Sequence, residues 1–424
     1  MKITELNGKK ICILGFGKEG QSALRALQEF AADASITISD KNPSVLIDEG
    51  NIEKQLGDQW LNNLDQFDVI IKSPGIPPTK EISANRDKVT STTKIFLDTV
   101  SEKNSVVIGV TGSKGKSTTA SLIAHILKSG RKDAYLVGNI GIPSLDLLKQ
   151  AKAETIFVQE MSSFQLMDLT VSPEIAVITS FFPDHLDYHG SVKEYLEAKR
   201  NITKHQKETD QVFYGSQWKE VTSLAESSSG KKHPYSKYDS PVDIKETKLL
   251  GSHNLCNIAG AYKVALHLGV SERVAIEAIK TFEGLPHRLQ LLGSFAEINW
   301  VDDAISTTPE STIAALEALE GNVETLICGG QDRGNDFSEL GTFISGSNIK
   351  TVIVFPESGI RIKDSISNKD IKIIEASNME QAVSEAKTNT SPNRACLLSP
   401  ASPSYNMYKN FEEKGEVFKS EIIN

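Results

Sequence analysis

The chain has 424 residues, 39% hydrophobic and 24% charged, values of an ordinary folding protein that exclude disordered, collagen-like and coiled-coil classes. At about 150 residues per domain, that length predicts two or three domains. Lys and Arg number 46 against 55 Asp and Glu, a net charge of −9, so a surface built to grip nucleic acid or anionic lipid is excluded and any bound phosphate must be held by local groups.

Taken in order, short Val/Ile-rich runs alternate with amphipathic stretches, the pattern of βαβ units feeding parallel sheets, so the fold class is α/β throughout. The first block, residues 1–93, predicts strands at 10–14, 35–39 and 68–72. Its helix after Gly20 carries Ala23, Leu24, Leu27 and Phe30 on one face. The second block, 94–283, predicts strands at 106–110, 155–159, 175–179 and 211–214. A helical stripe of Leu122, Ile123, Ile126 and Leu127 follows the first of these and can close at Gly130. The stretch 226–233, ESSSGKKH, reads as a solvated loop. The third block, 284–424, opens at Gly284-Leu285-Pro286 and predicts strands at 298–302, 325–328, 351–355, 371–374 and 395–398. The apolar run 11–14 is too short for a secretion signal, nothing reaches the 18 apolar residues of a membrane span, and Cys12, Cys256, Cys328 and Cys396 lack metal spacing. These features predict a cytoplasmic protein with reduced thiols and no membrane partner.

Two segments carry phosphate chemistry. Gly15-Phe16-Gly17-Lys18-Glu19-Gly20 lies between a predicted strand and helix, with Asp40 at the end of the next strand, 20 residues past Gly20. The pattern fits a Rossmann-like dinucleotide fingerprint, in which glycines admit a diphosphate to a helix N-terminus. It fits equally a tight strand-to-helix turn, and the diphosphate need not be that of NAD(P). Thr111-Gly112-Ser113-Lys114-Gly115-Lys116-Ser117-Thr118 follows a second strand and enters a helix. Backbone N–H groups of such a loop cradle phosphate, Lys116 neutralises β and γ oxygens, and Ser117 or Thr118 offers a hydroxyl to Mg²⁺. Val110 stands where the strict nucleotide-loop pattern has glycine.

From this loop onward the chain resembles the Mur ligase family, whose nucleotide loop also lacks that first glycine. In family order follow Gly138-Asn139-Ile140-Gly141, Glu160-Met161-Ser162-Ser163-Phe164-Gln165-Leu166, Asp184-His185-Leu186-Asp187-Tyr188-His189-Gly190 with Lys199, and Gly251-Ser252-His253-Asn254 with Asn257. Then come Gly284-Leu285-Pro286-His287-Arg288, Gly329-Gly330, and Leu397-Leu398-Ser399-Pro400 with Ser404 and Phe411. Ser73-Pro74-Gly75-Ile76-Pro77 and the Leu-Leu-Ser-Pro segment are similar to the branch that adds glutamate to UDP-N-acetylmuramoyl-L-alanine.

The resemblance implies three domains, a Rossmann-like first, a central P-loop-type nucleotide domain and a Rossmann-like third that binds the amino acid and closes on nucleotide. It implies a monomer that makes an amide in peptidoglycan precursor synthesis, using ATP to turn a carboxylate into an acyl phosphate. Gly15, Gly17, Asp40, Lys41, Ser73, Gly75, Asn139 and His185 become contacts to the UDP-sugar. Gly112, Ser113, Lys114, Gly115, Lys116, Ser117, Thr118, Asn257, Arg288 and Asp303 become contacts to ATP. Two Mg²⁺ ions are implied, on Ser117 and Glu160 and on His185 and a carbamylated Lys199; Lys116, His185 and Lys199 are the catalytic set. By residue type alone, Glu160 could equally cap a helix, Lys199 could be a solvated surface lysine, and Asp184, His185, Asp187 and His189 have a spacing open to a zinc reading. Carboxylate and triphosphate repel by about 4 kcal/mol per unit pair at 4 Å and an effective dielectric of 20, which is why cations must converge there.

The sequence departs from the family at the amino-acid pocket. Ile305 stands where a lysine is usual, and Arg333 replaces a second lysine after Gly329-Gly330. Thr307, Arg333, Ser404 and Phe411 remain the candidates to hold glutamate, with the D-enantiomer favoured and L-glutamate the alternative. The other readings are a folylpolyglutamate synthetase-like ligase, which has no need of the first domain, an NAD(P)-dependent oxidoreductase, for which the loop at Lys116 has no use, and a non-catalytic nucleotide-binding regulator.

Overall fold

The computed structural model describes residues 1–47 and 52–423; of Asp187 only the backbone is described, so the part its carboxylate plays in the Asp184–His189 cluster lies outside it. Three sheets follow one another along the chain, grouped in two compact units. The first unit holds Met1–Pro241 and Cys256–Ala278, and the second Val242–Leu255 and Ile279–Asn424.

In the first unit, strands β1 (Lys10–Leu14), β2 (Ser35–Asp40), β3 (Glu53–Leu56), β4 (Val69–Lys72) and β5 (Val89–Thr90) form a parallel sheet in the order β3-β2-β1-β4-β5, the Rossmann order. Successive side chains of a strand face opposite ways. Ile11 and Ile13 of β1 therefore enter one core with Leu24 and Leu27 of the helix Lys18–Phe30, while Cys12 and Leu14 enter the other with Leu64 and Phe67. Both faces are buried, which is why the strand reads as an unbroken apolar run.

The second sheet of this unit contains β6 (Val106–Thr111), β7 (Ala134–Gly138), β8 (Ile156–Glu160), β9 (Ile175–Ile178), β10 (Gln211–Gly215) and β11 (Lys231–Tyr235), all parallel, in the order β11-β10-β9-β6-β8-β7. The chain leaves the central strand β6 for the helix Lys116–Ser129, whose Leu122, Ile123, Ile126 and Leu127 are fully buried, and which ends at Gly130 as expected. From β6 the order runs to β8 on one side and β9 on the other. Its carboxyl end is thus a topological switch point, where open α/β sheets bind ligands.

The second unit contains β12 (Gln290–Phe295), β13 (Ile298–Asp302), β14 (Val323–Cys328), β15 (Thr351–Val354), β16 (Lys372–Glu375) and β17 (Ala395–Leu398), ordered β12-β13-β17-β14-β15-β16. Only the β12–β13 hairpin is antiparallel. The four cysteines are unpaired and buried, none more than 6% exposed.

Every strand predicted from sequence is present, within two residues at its ends. The stretch 226–233 is a correction. Helix Lys219–Glu226 runs into it, Ser228 is buried, and Lys231 opens β11, which pairs with β10. Its Ser/Lys composition reflects an edge strand, and Pro234 fits there because an edge has N–H groups to spare. The strands β3, β5, β7, β11 and β12 were not predicted, and each lies at a sheet edge.

Candidate functional site

Four neighbouring strands of the central sheet end side by side and deliver the predicted residues. Val110 lies opposite Glu160, Glu160 opposite Gly138, and Thr111 opposite Ile178. The nucleotide loop, Glu160, Asn139 and the segment leading to His185 therefore leave the sheet together.

The loop is held by its neighbours. Ser180 Oγ accepts from the Lys114 N–H at 2.9 Å, Thr179 Oγ1 donates to the Lys114 carbonyl at 2.6 Å, and the Ser113 hydroxyl donates to the Phe182 carbonyl at 2.8 Å. Gly115 caps the following helix at φ +83°, and a Cβ there would stand 2.3 Å from Asn257 Oδ1. Only glycine meets both demands. Asn257, predicted as an ATP contact, is thus placed at the nucleotide loop, where its Oδ1 also accepts from Thr119 Oγ1 at 3.3 Å. Lys116 folds back to donate to the Ser113 carbonyl at 2.9 Å, while Ser117 and Thr118 occupy the helix's first turn, half-buried.

Glu160 is 1% exposed at the end of β8. Its Oε1 accepts from Asn139 Nδ2 at 3.0 Å, and its Oε2 is buried without a hydrogen-bond partner. It caps no helix, since Ser162 caps the turn that follows. A buried carboxylate oxygen left open is costly, and a hard cation satisfies it. With the Ser117 hydroxyl as a second oxygen donor, these residues fit Mg²⁺.

Lys199 is 1% exposed, which removes the reading of a solvated surface lysine. Its Nζ donates to the Gly112 carbonyl at 2.9 Å and lies 4.6 Å from the centre of the Tyr195 ring. Burial, then the nearby charge of Lys116, hold its amine well below the ordinary lysine pKa, with Asp184 and Glu160 pulling it part of the way back. The sequence reading gave no role to Tyr195, whose hydroxyl meets Ser113 Oγ at 3.1 Å; its place one helical turn before Lys199 was the available signal.

His185 sits half-exposed in a left-handed conformation, φ +53°, at the start of the short helix Leu186–His189, its ring 4.9 Å from that of Phe164. That conformation is unfavourable for a non-glycine residue by about 1–2 kcal/mol and marks a constrained segment. His189 is buried, pairs with Ser163 Oγ at 3.0 Å and stacks on Phe164. Both histidines pack against Phe164, and among the described residues, which leave out the Asp187 side chain, no group of three His, Cys, Asp or Glu could hold a metal.

In the first sheet, the Ser73 hydroxyl donates to the Gly15 carbonyl at 2.9 Å and Asp40 Oδ2 accepts from the Phe16 N–H at 2.7 Å, so β1, β2 and β4 bring Gly15, Gly17, Asp40 and Ser73 together. A Cβ at Gly20 would meet the Gly15 carbonyl at 2.1 Å, the tight helix-to-strand approach the fingerprint demands. Lys41 and Gly75 are exposed beside them.

The second unit repeats the design at the ends of β13, β17 and β14. Asp303 is 2% exposed; it accepts from the Leu289 N–H at 3.1 Å and the Ser399 hydroxyl at 2.9 Å, and burial pushes its pKa up to about 6. Arg288 is exposed. Arg333 is exposed, donates to Gln331 Oε1 at 3.1 Å and lies 5.6 Å over the Tyr405 ring. Ser404 is buried and its hydroxyl has no partner; Thr307 is half-buried, and Phe411 opens the last helix 6.1 Å from the His287 ring. One residue missed by sequence reasoning is Lys414, one turn after Phe411 and 1% exposed, whose Nζ donates to the Gly329 carbonyl at 3.0 Å. Burial brings its pKa down to about 7.

The Mur ligase middle-domain family matches residues 110–245, and the Mur ligase glutamate ligase domain matches 287–402. The UDP-N-acetylmuramoylalanine--D-glutamate ligase of Streptococcus sanguinis is 34% identical, over 98% of each chain. Two solved structures share the fold: a MurF ligase from Thermotoga maritima in complex with ADP (TM-score 0.61, 18% identity, 100% of this chain and 97% of that one), and the UDP-N-acetylmuramate-alanine ligase of the same organism (TM-score 0.58, 20% identity, 97% and 98%). No helix among the described residues is long and apolar enough to cross a membrane. With both domain families matched and a relative aligned along almost its whole length, the chain belongs to the Mur ligase family.

Proposed function

We propose that the protein is an ATP-dependent ligase that joins D-glutamate to UDP-N-acetylmuramoyl-L-alanine in peptidoglycan precursor synthesis, acting in the cytoplasm as a monomer. The observation that carries this reading is the alignment with the S. sanguinis enzyme across 98% of both chains, with Lys116, Glu160, His185 and Lys199 in the motifs that lead to it.

In the proposed reaction a carboxylate oxygen of the alanyl group attacks the γ-phosphorus of ATP, and the bond from that phosphorus to the β-phosphate oxygen breaks, releasing ADP. The amine of glutamate then attacks the acyl carbon and loses a proton as phosphate leaves. Lys116 and the N–H groups of residues 112–118 receive the triphosphate. Asn257, Arg288 and Asp303 are assigned to the rest of ATP. Asp303's two oxygens are already engaged within its own unit, so a ribose hydroxyl must share them.

Ser117 and Glu160 would hold one Mg²⁺, whose charge would offset that of the triphosphate. For the second ion the amine of Lys199 is no ligand. As a carbamate, formed when the neutral amine adds CO₂ and loses a proton, it would offer two oxygens to that ion, to which His185 is also assigned. Asn139 fixes the Glu160 carboxylate and faces the sugar nucleotide, whose uridine and diphosphate fall to Gly15, Gly17, Asp40, Lys41, Ser73 and Gly75. Thr307, Arg333, Ser404 and Phe411 are assigned to glutamate, with Arg333 able to grip a carboxylate through two nitrogens.

The test is phosphate release from ATP by the purified protein. It is expected to require UDP-N-acetylmuramoyl-L-alanine, Mg²⁺ and D-glutamate together. Release indifferent to the sugar nucleotide overturns the reading. A preference for L-glutamate in the parallel arm, which Ile305 and Arg333 make worth running, overturns the stereochemistry alone.

A further inference from the structure

The turn at residues 73–77 is gripped from behind by two side chains that no reading above employs. The Tyr188 hydroxyl lies 3.0 Å from the Pro74 carbonyl and 3.0 Å from the Ile76 carbonyl, which share its one proton. Lys72 Nζ donates to the same Ile76 carbonyl at 3.1 Å and is held in turn by Asp168 at 3.1 Å, with the lysine only 4% exposed. Both lone pairs of the Ile76 oxygen are therefore taken.

Packing holds the turn on one side only, where Ile76 lies against the cluster of Cys12, Leu14 and Leu64. A cavity of about 490 Å³ is lined by Lys72 and Pro78, the residues flanking it, and by Arg86 and Asp168. Tyr188 itself is fixed. Its ring stands edge-on to Phe164 at 4.5 Å, and Phe164 also packs against His185 at 4.9 Å. Burial and the Asp168 charge push the phenol pKa up to about 12, so the hydroxyl stays a donor at any working pH.

We propose that Tyr188 is a positioning residue for the sugar nucleotide: its hydroxyl, sharing the Ile76 carbonyl with Lys72, holds the 73–77 turn in receiving shape and ties that turn to the segment bearing His185. The inference rests on the proposed function, in which this turn contacts the UDP-sugar.

The test is steady-state kinetics of Tyr188→Phe, Lys72→Gln and the double variant. Each single variant is expected to raise the KM for UDP-N-acetylmuramoyl-L-alanine roughly five- to tenfold, the size of one lost hydrogen bond, and to leave the KM for ATP within about twofold. Because both bonds end on one oxygen, the double variant is expected to lose less than the product of the two. An unchanged KM for the sugar nucleotide in Tyr188→Phe overturns the inference, as does an equal rise in the KM for ATP, which would signal general loosening. If the parent enzyme releases phosphate without the sugar nucleotide, the proposed function has failed. If the parent depends on it strictly and Tyr188→Phe matches the parent, only this inference has.

Discussion

Lys199 shows how far a single residue's environment can depart from its pattern. Its helix, Val192–Arg200, is strongly charged, and a lysine there would ordinarily reach solvent. Instead the amine is sealed between Gly112 and Tyr195, with Lys116 near enough to oppose its charge. An amine whose pKa is lowered is more often the free base, the form that adds CO₂, than a solvated lysine is. In ¹³C-bicarbonate, the parent is expected to show a carbamate carbonyl resonance that Lys199→Ala lacks. The same variant is expected to lose about a hundredfold or more in kcat, in the range of a removed charge-stabilising group. Full activity in the alanine variant would remove the carbamate from the mechanism. The motif pointed to this residue, but no sequence pattern carries its burial.

At the scale of elements, what the sequence made legible is what both faces of a sheet bury. β1, β4, β6, β8, β14 and β17 announce themselves as apolar runs because helices cover them on either side. β3 is Glu-Lys-Gln-Leu and β11 is Lys-Lys-His-Pro-Tyr; an edge strand pairs on one side only and tolerates charge and proline, so its pattern fades into that of a loop. The candidate site was more legible than the edges, since loop chemistry leaves its mark in residue identity: Gly112, Gly115 and Lys116 stand out in any reading. Less visible were Tyr195 and Lys414, which act through burial. The nucleotide loop supplies its own test. In Gly115→Ala, the left-handed backbone and the 2.3 Å approach to Asn257 both oppose a Cβ. The KM for ATP is expected to rise at least tenfold while the KM for the sugar nucleotide stays within about twofold. An ATP KM equal to the parent's would mean the loop relaxes freely.

On the scale of the whole molecule, each compact unit has its own cores, and the second carries a buried lysine that couples its stability to pH. Lys414 lies against the Phe355 and Tyr408 rings and near Cys328, with its folded pKa lowered to about 7. Between pH 7 and the unfolded value near 10.4, the unfolded chain binds the proton that the folded unit has released, so this group makes stability rise with pH, by roughly 3 kcal/mol from pH 7 to 10. Trp300 is fully buried in this unit; with Trp60→Phe and Trp218→Phe replaced, its fluorescence follows that unit alone. The buried thiols Cys328 and Cys396 lower stability over the upper part of that range in parent and Lys414→Met alike, so urea titrations at the two pH values are expected to show the parent gaining roughly 3 kcal/mol relative to the variant. An identical pH slope in both would mean that the amine is charged in the fold.

The four cysteines of the interior have a practical corollary. None forms a bridge, and burial pushes the thiols of Cys12 and Cys328 up to about 12 and that of Cys256 up to about 11, with Cys396 moved in the same direction. Maleimides and oxidants consume thiolate, of which the native fold offers almost none. To such reagents the native chain is a blank surface, and one cysteine engineered onto its exterior would give a single attachment point for a dye or spin label.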